Sequence, residues 1–216
     1  MRTRPYTPYC PLPIEDYGLI GDCRTGALVG RNGSVDWLCW PRFDSAACFA
    51  SILGSEDHGR WSIAAAEQLT SCLRSYRGDT MVLENVFTTD DGSFAIIDFM
   101  PIGTPHSSLV RIVEGRSGKI RVCMDLSFRF DYGSAVPWVT RLPEGHGIVA
   151  IAGPNLVVLR TSVSLRGKGL STTADFAIGP GERVPFVLSF GESHRAPPAA
   201  IDANMALNQT QSYWNQ

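Results

Sequence analysis

Apolar and polar residues alternate with a period of two along much of this chain. Ile120, Val122, Met124, Leu126 and Phe128 interleave with Arg121, Cys123, Asp125 and Ser127, which sends one row to a core face and the other toward solvent. The pattern predicts a half-buried antiparallel strand. Val184, Phe186, Leu188 and Phe190 repeat it after Gly179-Pro180-Gly181, a turn whose residues supply positive φ and a preset φ. Asn32-Gly33, between Ala27-Leu28-Val29 and Val35-Asp36-Trp37, predicts a hairpin with a type I′ turn and places Trp37 on the inward row with Val35. Asp91-Gly92 joins a strand over residues 82–88 to one over 94–99. Gly115-Arg116-Ser117-Gly118-Lys119 lacks the spacing of a phosphate loop and reads as a hairpin turn between two strands. Short strands at this spacing predict an all-β sandwich or barrel.

Two segments carry helical signals instead. Asp44 or Ser45 can cap a short edge helix through Ala46, Ala47, Phe49, Ala50, Ile52 and Leu53, ended by Gly54. A second helix is expected from about Ala199 to Gln216, after Pro197-Pro198, with Ile201, Met205 and Tyr213 as an incomplete apolar stripe. No stop signal follows Trp214.

Composition narrows the function classes. With 216 residues, 44% hydrophobic and 19% charged, the chain has the make-up of a single globular domain. A net charge of −2 lacks the basic face that nucleic acid requires. No apolar run approaches the roughly 20 residues of a spanning helix, and the N-terminus is polar and Pro-rich rather than a signal core. The expectation is a cytoplasmic protein without membrane or nucleic-acid partners. Cys10, Cys23, Cys39, Cys48, Cys72 and Cys123 contain no C-x-x-C pair, and His58, His106, His146 and His194 are scattered singly. Reduced structural thiols are expected, with no metal and no cofactor. Gly191-Glu192-Ser193-His194 lacks the second Gly of a nucleophile elbow.

The informative motifs come in order along the chain: Asp36-Trp37-Leu38-Cys39-Trp40-Pro41-Arg42-Phe43-Asp44-Ser45, then His58-Gly59-Arg60-Trp61, Asp98-Phe99-Met100-Pro101 and Arg129-Phe130-Asp131-Tyr132-Gly133. In this order they resemble the N-terminal domain of family 15 glycoside hydrolases, the glucoamylase, glucodextranase and trehalase-like enzymes. Ala206-Leu207, Thr210 and Tyr213-Trp214 resemble the family's connector, so the likeness spans nearly the whole chain. Ala46 stands where the family usually has Pro, and Cys23 where a Gly or similar small residue is common.

The resemblance implies an antiparallel β-supersandwich of two packed sheets, with an N-terminal extension over residues 1–13, the sandwich over 14–194, and a Pro-rich linker with a connector helix over 195–216. It also implies that the family's acid and base carboxylates lie in a helical barrel following this domain, so no catalytic residue is expected here. Glycosidases need two carboxyl groups roughly 5–9.5 Å apart. Asp36 and Asp44 flank the aromatic patch of Trp37, Trp40 and Phe43, but a strand position and a cap position explain them better. Trp40, Arg42, Asp44, Arg129, Asp131 and Tyr132 are the candidates for a substrate mouth or barrel interface, and the two Arg-Phe-Asp loops are expected to meet. Tyr213 and Trp214 are the expected connection to the barrel. The expected partner is that barrel, with an α-glucoside as ligand and self-association through the uncovered interface. Two other readings stay open: a free-standing carbohydrate-binding module exposing Trp37, Trp40, Trp61 or Trp138, and a decayed remnant.

Overall fold

Two eight-stranded antiparallel sheets pack face to face in a computed structural model that describes residues 12–143 and 145–216. Cys10 and nearly all of the predicted N-terminal extension lie outside the described residues. The first eight strands in chain order are β1 (Tyr17–Gly21), β2 (Gly26–Gly30), β3 (Ser34–Cys39), β4 (Ala47–Phe49), β5 (Arg60–Ala65), β6 (Ser71–Tyr76), β7 (Leu83–Thr89) and β8 (Gly92–Phe99). The second eight are β9 (Ser108–Gly118), β10 (Ile120–Ser127), β11 (Trp138–Arg141), β12 (Gly147–Ala152), β13 (Asn155–Thr161), β14 (Arg166–Lys168), β15 (Ser171–Ile178) and β16 (Arg183–Glu192). One sheet runs β1-β2-β3-β5-β10-β15-β14, with β4 paired to β3, and the other β11-β12-β13-β16-β9-β8-β7-β6. The predicted β-sandwich is therefore the fold.

Alternation explains the core. Ile120, Val122, Met124 and Leu126 of β10 are buried while Arg121 is exposed, and the interior they join includes Trp61, Phe87, Phe94 and Phe186. The alternation fails in β9, where Leu109 to Val113 are all buried. A helix covers this sheet's outer face. In α1 (Ala203–Trp214), Ala203, Ala206 and Leu207 pack on Ile97, Phe99, Val110, Ile112 and Val187. Its N-cap is Asp202, whose carboxylate accepts from Met205 N at 2.8 Å. The buried stripe is thus Ala203, Ala206, Leu207 and Thr210, and Met205 and Tyr213 point outward.

Three local expectations are corrected. The helix expected through residues 46–53 is strand β4 followed by a single 3-10 turn, Ser51–Leu53. Ala47 and Phe49 pair with Cys39 and Leu38, and sheet pairing with burial on both faces overrides the alanine-rich propensity. Gly115–Gly118 is no hairpin turn but the end of β9, paired with β8; at Lys119 the chain crosses to the other sheet to begin β10. The 31–33 turn is not type I′: among its residues only Gly33 has positive φ, at 81°, with Gly33 N donating to Gly30 O at 2.9 Å. It is a three-residue hairpin loop with the last residue left-handed.

The sandwich is laced along one side. Arg74 of β6 donates to the carbonyls of Asp16 and Glu15, and Tyr76 Oη to Leu19 O at 2.8 Å. On the opposite side the edge strands β11 and β14 stand apart. A guanidinium bond reaches across, from Arg141 Nη2 to the O of Leu165, the residue before β14, at 3.1 Å.

Candidate functional site

The first Arg-Phe-Asp loop leaves β3 after Cys39. Trp40 is not at its surface: the ring is 4% exposed, its Nε1 donates to Ser107 Oγ at 2.9 Å, and Ser107 Oγ donates to Asp22 Oδ2 at 2.6 Å. Asp22 Oδ1 in turn accepts from the N–H groups of Arg24 and Thr25. This chain locks the entry to the loop, and Trp40 is corrected from a candidate mouth residue to a core residue tilted against Phe190 at 6.0 Å. Beyond it, Arg42 forks onto Asp44 at 2.9 and 2.8 Å, with both side chains in solvent. Such an exposed pair contributes little stability. It keeps the loop tip charged beside an opening of about 340 Å³ between Arg24, His106 and Arg195.

Trp37 turns the other way from the predicted inward row. Leu28 pairs with Trp37 but Val29 pairs with Val35, so Asp36 is the extra residue of a bulge and shifts the parity of everything after it. Trp37 therefore packs outside the sheet, against Cys39, Ala47 and Ala50. Asp36 is sealed, with Tyr17 Oη donating to Oδ2 at 2.7 Å and Ser34 Oγ to Oδ1 at 2.5 Å. Asp36 and Asp44 share no opening, one being fully buried and the other held at the surface by Arg42.

The second loop lies against the strand that the first one enters. Arg129 N donates to Cys48 O in the middle of β4 at 3.2 Å. The Arg129 guanidinium is buried and donates to Phe128 O and Leu170 O, so this arginine too is a structural residue rather than a reaching one. Asp131 and Tyr132 have φ of 51° and 55°, two successive non-glycine residues in left-handed backbone, followed by Gly133 at 105°. Ser134 Oγ ties back to Asp131 O and Oδ2. The result holds up Tyr132, 45% exposed, with its ring 6.1 Å from that of Trp37. Each left-handed residue costs roughly 1–2 kcal/mol. Of the six mouth candidates, Arg42, Asp44, Asp131 and Tyr132 are at the surface, and the two loops flank β4, the first closed by the Arg42–Asp44 pair and the second by bonds to carbonyls and to the Ser134 hydroxyl.

At the C-terminal end Tyr213 and Trp214 meet edge to face at 5.4 Å and 85°. Among the described residues no disulfide joins the five cysteines, and the Cys123 thiol donates to Asp175 Oδ1 at 3.0 Å. Burial pushes the Cys48 thiol up, away from reactive thiolate. Among the described residues no three His, Cys, Asp or Glu side chains cluster to hold a metal, and no helix is long and apolar enough to cross a membrane.

Sequence reasoning singled out the Arg129–Gly133 loop but not its strain, for which Gly133 is the only local hint. It also missed an opening of about 410 Å³ between β11 and β14, next to exposed Trp138.

Residues 8–214 match the family model described as "Trehalase-like, N-terminal". A trehalase of Mycolicibacterium smegmatis is 27% identical over 94% of this chain and 34% of its own length. Trehalase 1 of Sulfolobus acidocaldarius is 30% identical over 94% of this chain and again 34% of its own. The chain thus spans about a third of the length of these curated relatives. Among solved structures, a bacterial glucoamylase complexed with acarbose superposes with a TM-score of 0.57 at 9% identity, over 97% of this chain and 35% of that one. That likeness is one of fold.

Proposed function

The chain belongs to the trehalase-like N-terminal family, and on that premise we propose that it is the non-catalytic sandwich domain of a family 15 glycoside hydrolase. In this reading it packs on an (α/α)6 barrel that hydrolyses α-glucosidic bonds in trehalose, maltooligosaccharides or dextran-like chains, and it shapes the mouth of that barrel's sugar pocket. The acid and base carboxylates belong to the barrel. This chain supplies the rigid wall.

The observation that carries the reading is the strained presentation of Tyr132. Within the sandwich, the two left-handed non-glycine residues gain the Ser134 bonds to Asp131 and a tilted ring contact between Tyr132 and Trp37. Strain of this kind persists where the surrounding structure over-determines it, and it concentrates at clamps and sites. A ring held out beside β4, with the Arg42–Asp44 tip entering the same strand, suits a surface that meets another domain and its substrate.

The test has two parts. The purified 216-residue chain is assayed against trehalose, maltose and isomaltose, and the intact mass of the endogenous protein is measured after recovery with an antibody to this domain. The expected result is no turnover by the chain alone and an endogenous product several hundred residues longer, or one recovered with a separate helical subunit. Turnover by the chain alone overturns the non-catalytic role, and an endogenous product of this size without a partner overturns the barrel.

A further inference from the structure

We propose that the cleft between edge strands β11 and β14 is a binding site for a neutral oligosaccharide, with Trp138 as its stacking platform. Of the tryptophans considered as sugar platforms, Trp61 and Trp40 are core residues and Trp37 is partly buried against Cys39, Ala47 and Ala50, whereas Trp138 is 77% exposed. It stands at the rim of the opening of about 410 Å³, within the usual range of roughly 300–1,000 Å³ for small-molecule sites. Phe128, Ile148 and Leu165 give the cleft an apolar floor.

The polar groups of the rim suit a polyol. Arg141 enters the cleft and uses one guanidinium nitrogen on Leu165 O. Arg166 stands on the opposite bank, and Thr140 and Thr172 bring hydroxyls that both donate and accept. An indole face with flanking guanidinium forks and hydroxyls matches a hexose, which has one apolar face and a girdle of hydroxyl groups.

A peptide strand fits less well. The two edge strands are four and three residues long, Pro137 precedes one, and Arg166 and Lys168 occupy the other, so little ladder is available to an added strand. The glucan class of the saccharide rests on the function proposed above. The placement supports it as well: Phe128 and Leu170, whose carbonyls hold the Arg129 guanidinium, both line the cleft. The cleft therefore adjoins the loop that presents Tyr132, where a glucan chain held by Trp138 extends toward the mouth.

The experiment is a calorimetric titration of the 216-residue chain with maltoheptaose, repeated with cellohexaose and with heparin oligosaccharide, and followed in parallel by tryptophan emission. The expected result is saturable maltoheptaose binding that weakens at least tenfold in Trp138→Ala and severalfold in Arg166→Ala, both with unchanged melting temperature because the two side chains are exposed. Unaltered binding in Trp138→Ala, absence of maltoheptaose binding at 10 mM (roughly the weak end of specific recognition), or binding of heparin alone would each overturn the proposal. None of these outcomes touches the barrel-docking reading, which the mass and turnover measurements decide separately.

Discussion

Asp98 and Arg111 sit opposite each other on β8 and β9, both fully buried, with Arg111 Nε 2.7 Å from Oδ1 and Nη2 3.3 Å from Oδ2. The same guanidinium crosses the sandwich. It donates to Trp61 O and Gly33 O of the other sheet, each at 2.8 Å, and lies 5.2 Å from the centre of the Trp61 ring. One side chain thus ties the two sheets in register through a fork that lysine cannot reproduce.

Arg111→Met leaves the Asp98 carboxylate buried without its cation and removes the guanidinium bonds to Trp61 O and Gly33 O, the latter still accepting from Ile63 N at 3.1 Å. At pH 7 the expected loss is about 3–5 kcal/mol. Burial already raises the Asp98 carboxyl against the pull of Arg111, and removing the arginine raises it further. A carboxyl with a raised folded pKa holds its proton better in the native state, so its contribution is fully present below the unfolded value near 3.9 and is lost as pH rises through the folded one. The deficit of the variant should therefore shrink as pH falls from 7 toward 4. Urea unfolding of both proteins at pH 7 and 4.5 checks this, and a deficit that grows in acid refutes it.

Gly33 marks where the 31–33 turn dives under the sheet. Its φ is 81°, and a Cβ there would lie 2.3 Å from the backbone oxygen of Ile63. Gly33→Ala combines left-handed strain with a backbone clash, for an expected cost of roughly 2–5 kcal/mol. A thermal melt within a degree of the parent would show that the turn can move aside.

Cys23 predicts the opposite sign. It holds φ of 67° in the β1–β2 turn, its side chain is exposed, and the turn's hydrogen bonds come from Asp22 instead. Cys23→Gly removes about 1–2 kcal/mol of strain and returns about 0.5–1 kcal/mol through the freer unfolded chain. The variant should be stabler by up to about 1.5 kcal/mol, read as a higher urea midpoint at unchanged slope.

Period-two patterning made β10, the β7–β8 hairpin and the sandwich class legible, because each of those strands has one covered face or a well-marked turn. It misplaced Trp37, since the bulge at Asp36 shifts parity by one and leaves no mark in composition. It could not place Arg111 inward, because a charge within Leu109–Val113 reads as a solvent position until α1 and the opposite sheet cover both faces. The same holds for the tryptophans: Trp40 and Trp138 are equivalent as letters, and only the layer packed over each decides which ring is free. The Arg129–Gly133 loop stood out by its residue types, while its strain resides in dihedral angles that those types do not announce.

The outward side of α1 supplies the last prediction. Leu207 is buried against sheet residues that include Val187, whereas Met205 is 59% and Tyr213 47% exposed, two turns apart. Apolar side chains left uncovered on α1 favour association, so the isolated chain should self-associate with rising concentration in sedimentation velocity. Met205→Lys with Tyr213→Lys should abolish this at unchanged melting temperature, because neither side chain belongs to the core. Leu207→Ala should instead cost about 2–5 kcal/mol by opening a cavity beneath the helix. Association that survives the double lysine variant would assign self-contact to another face, and the Leu207 result would then still report whether α1 is held to the sheet as described.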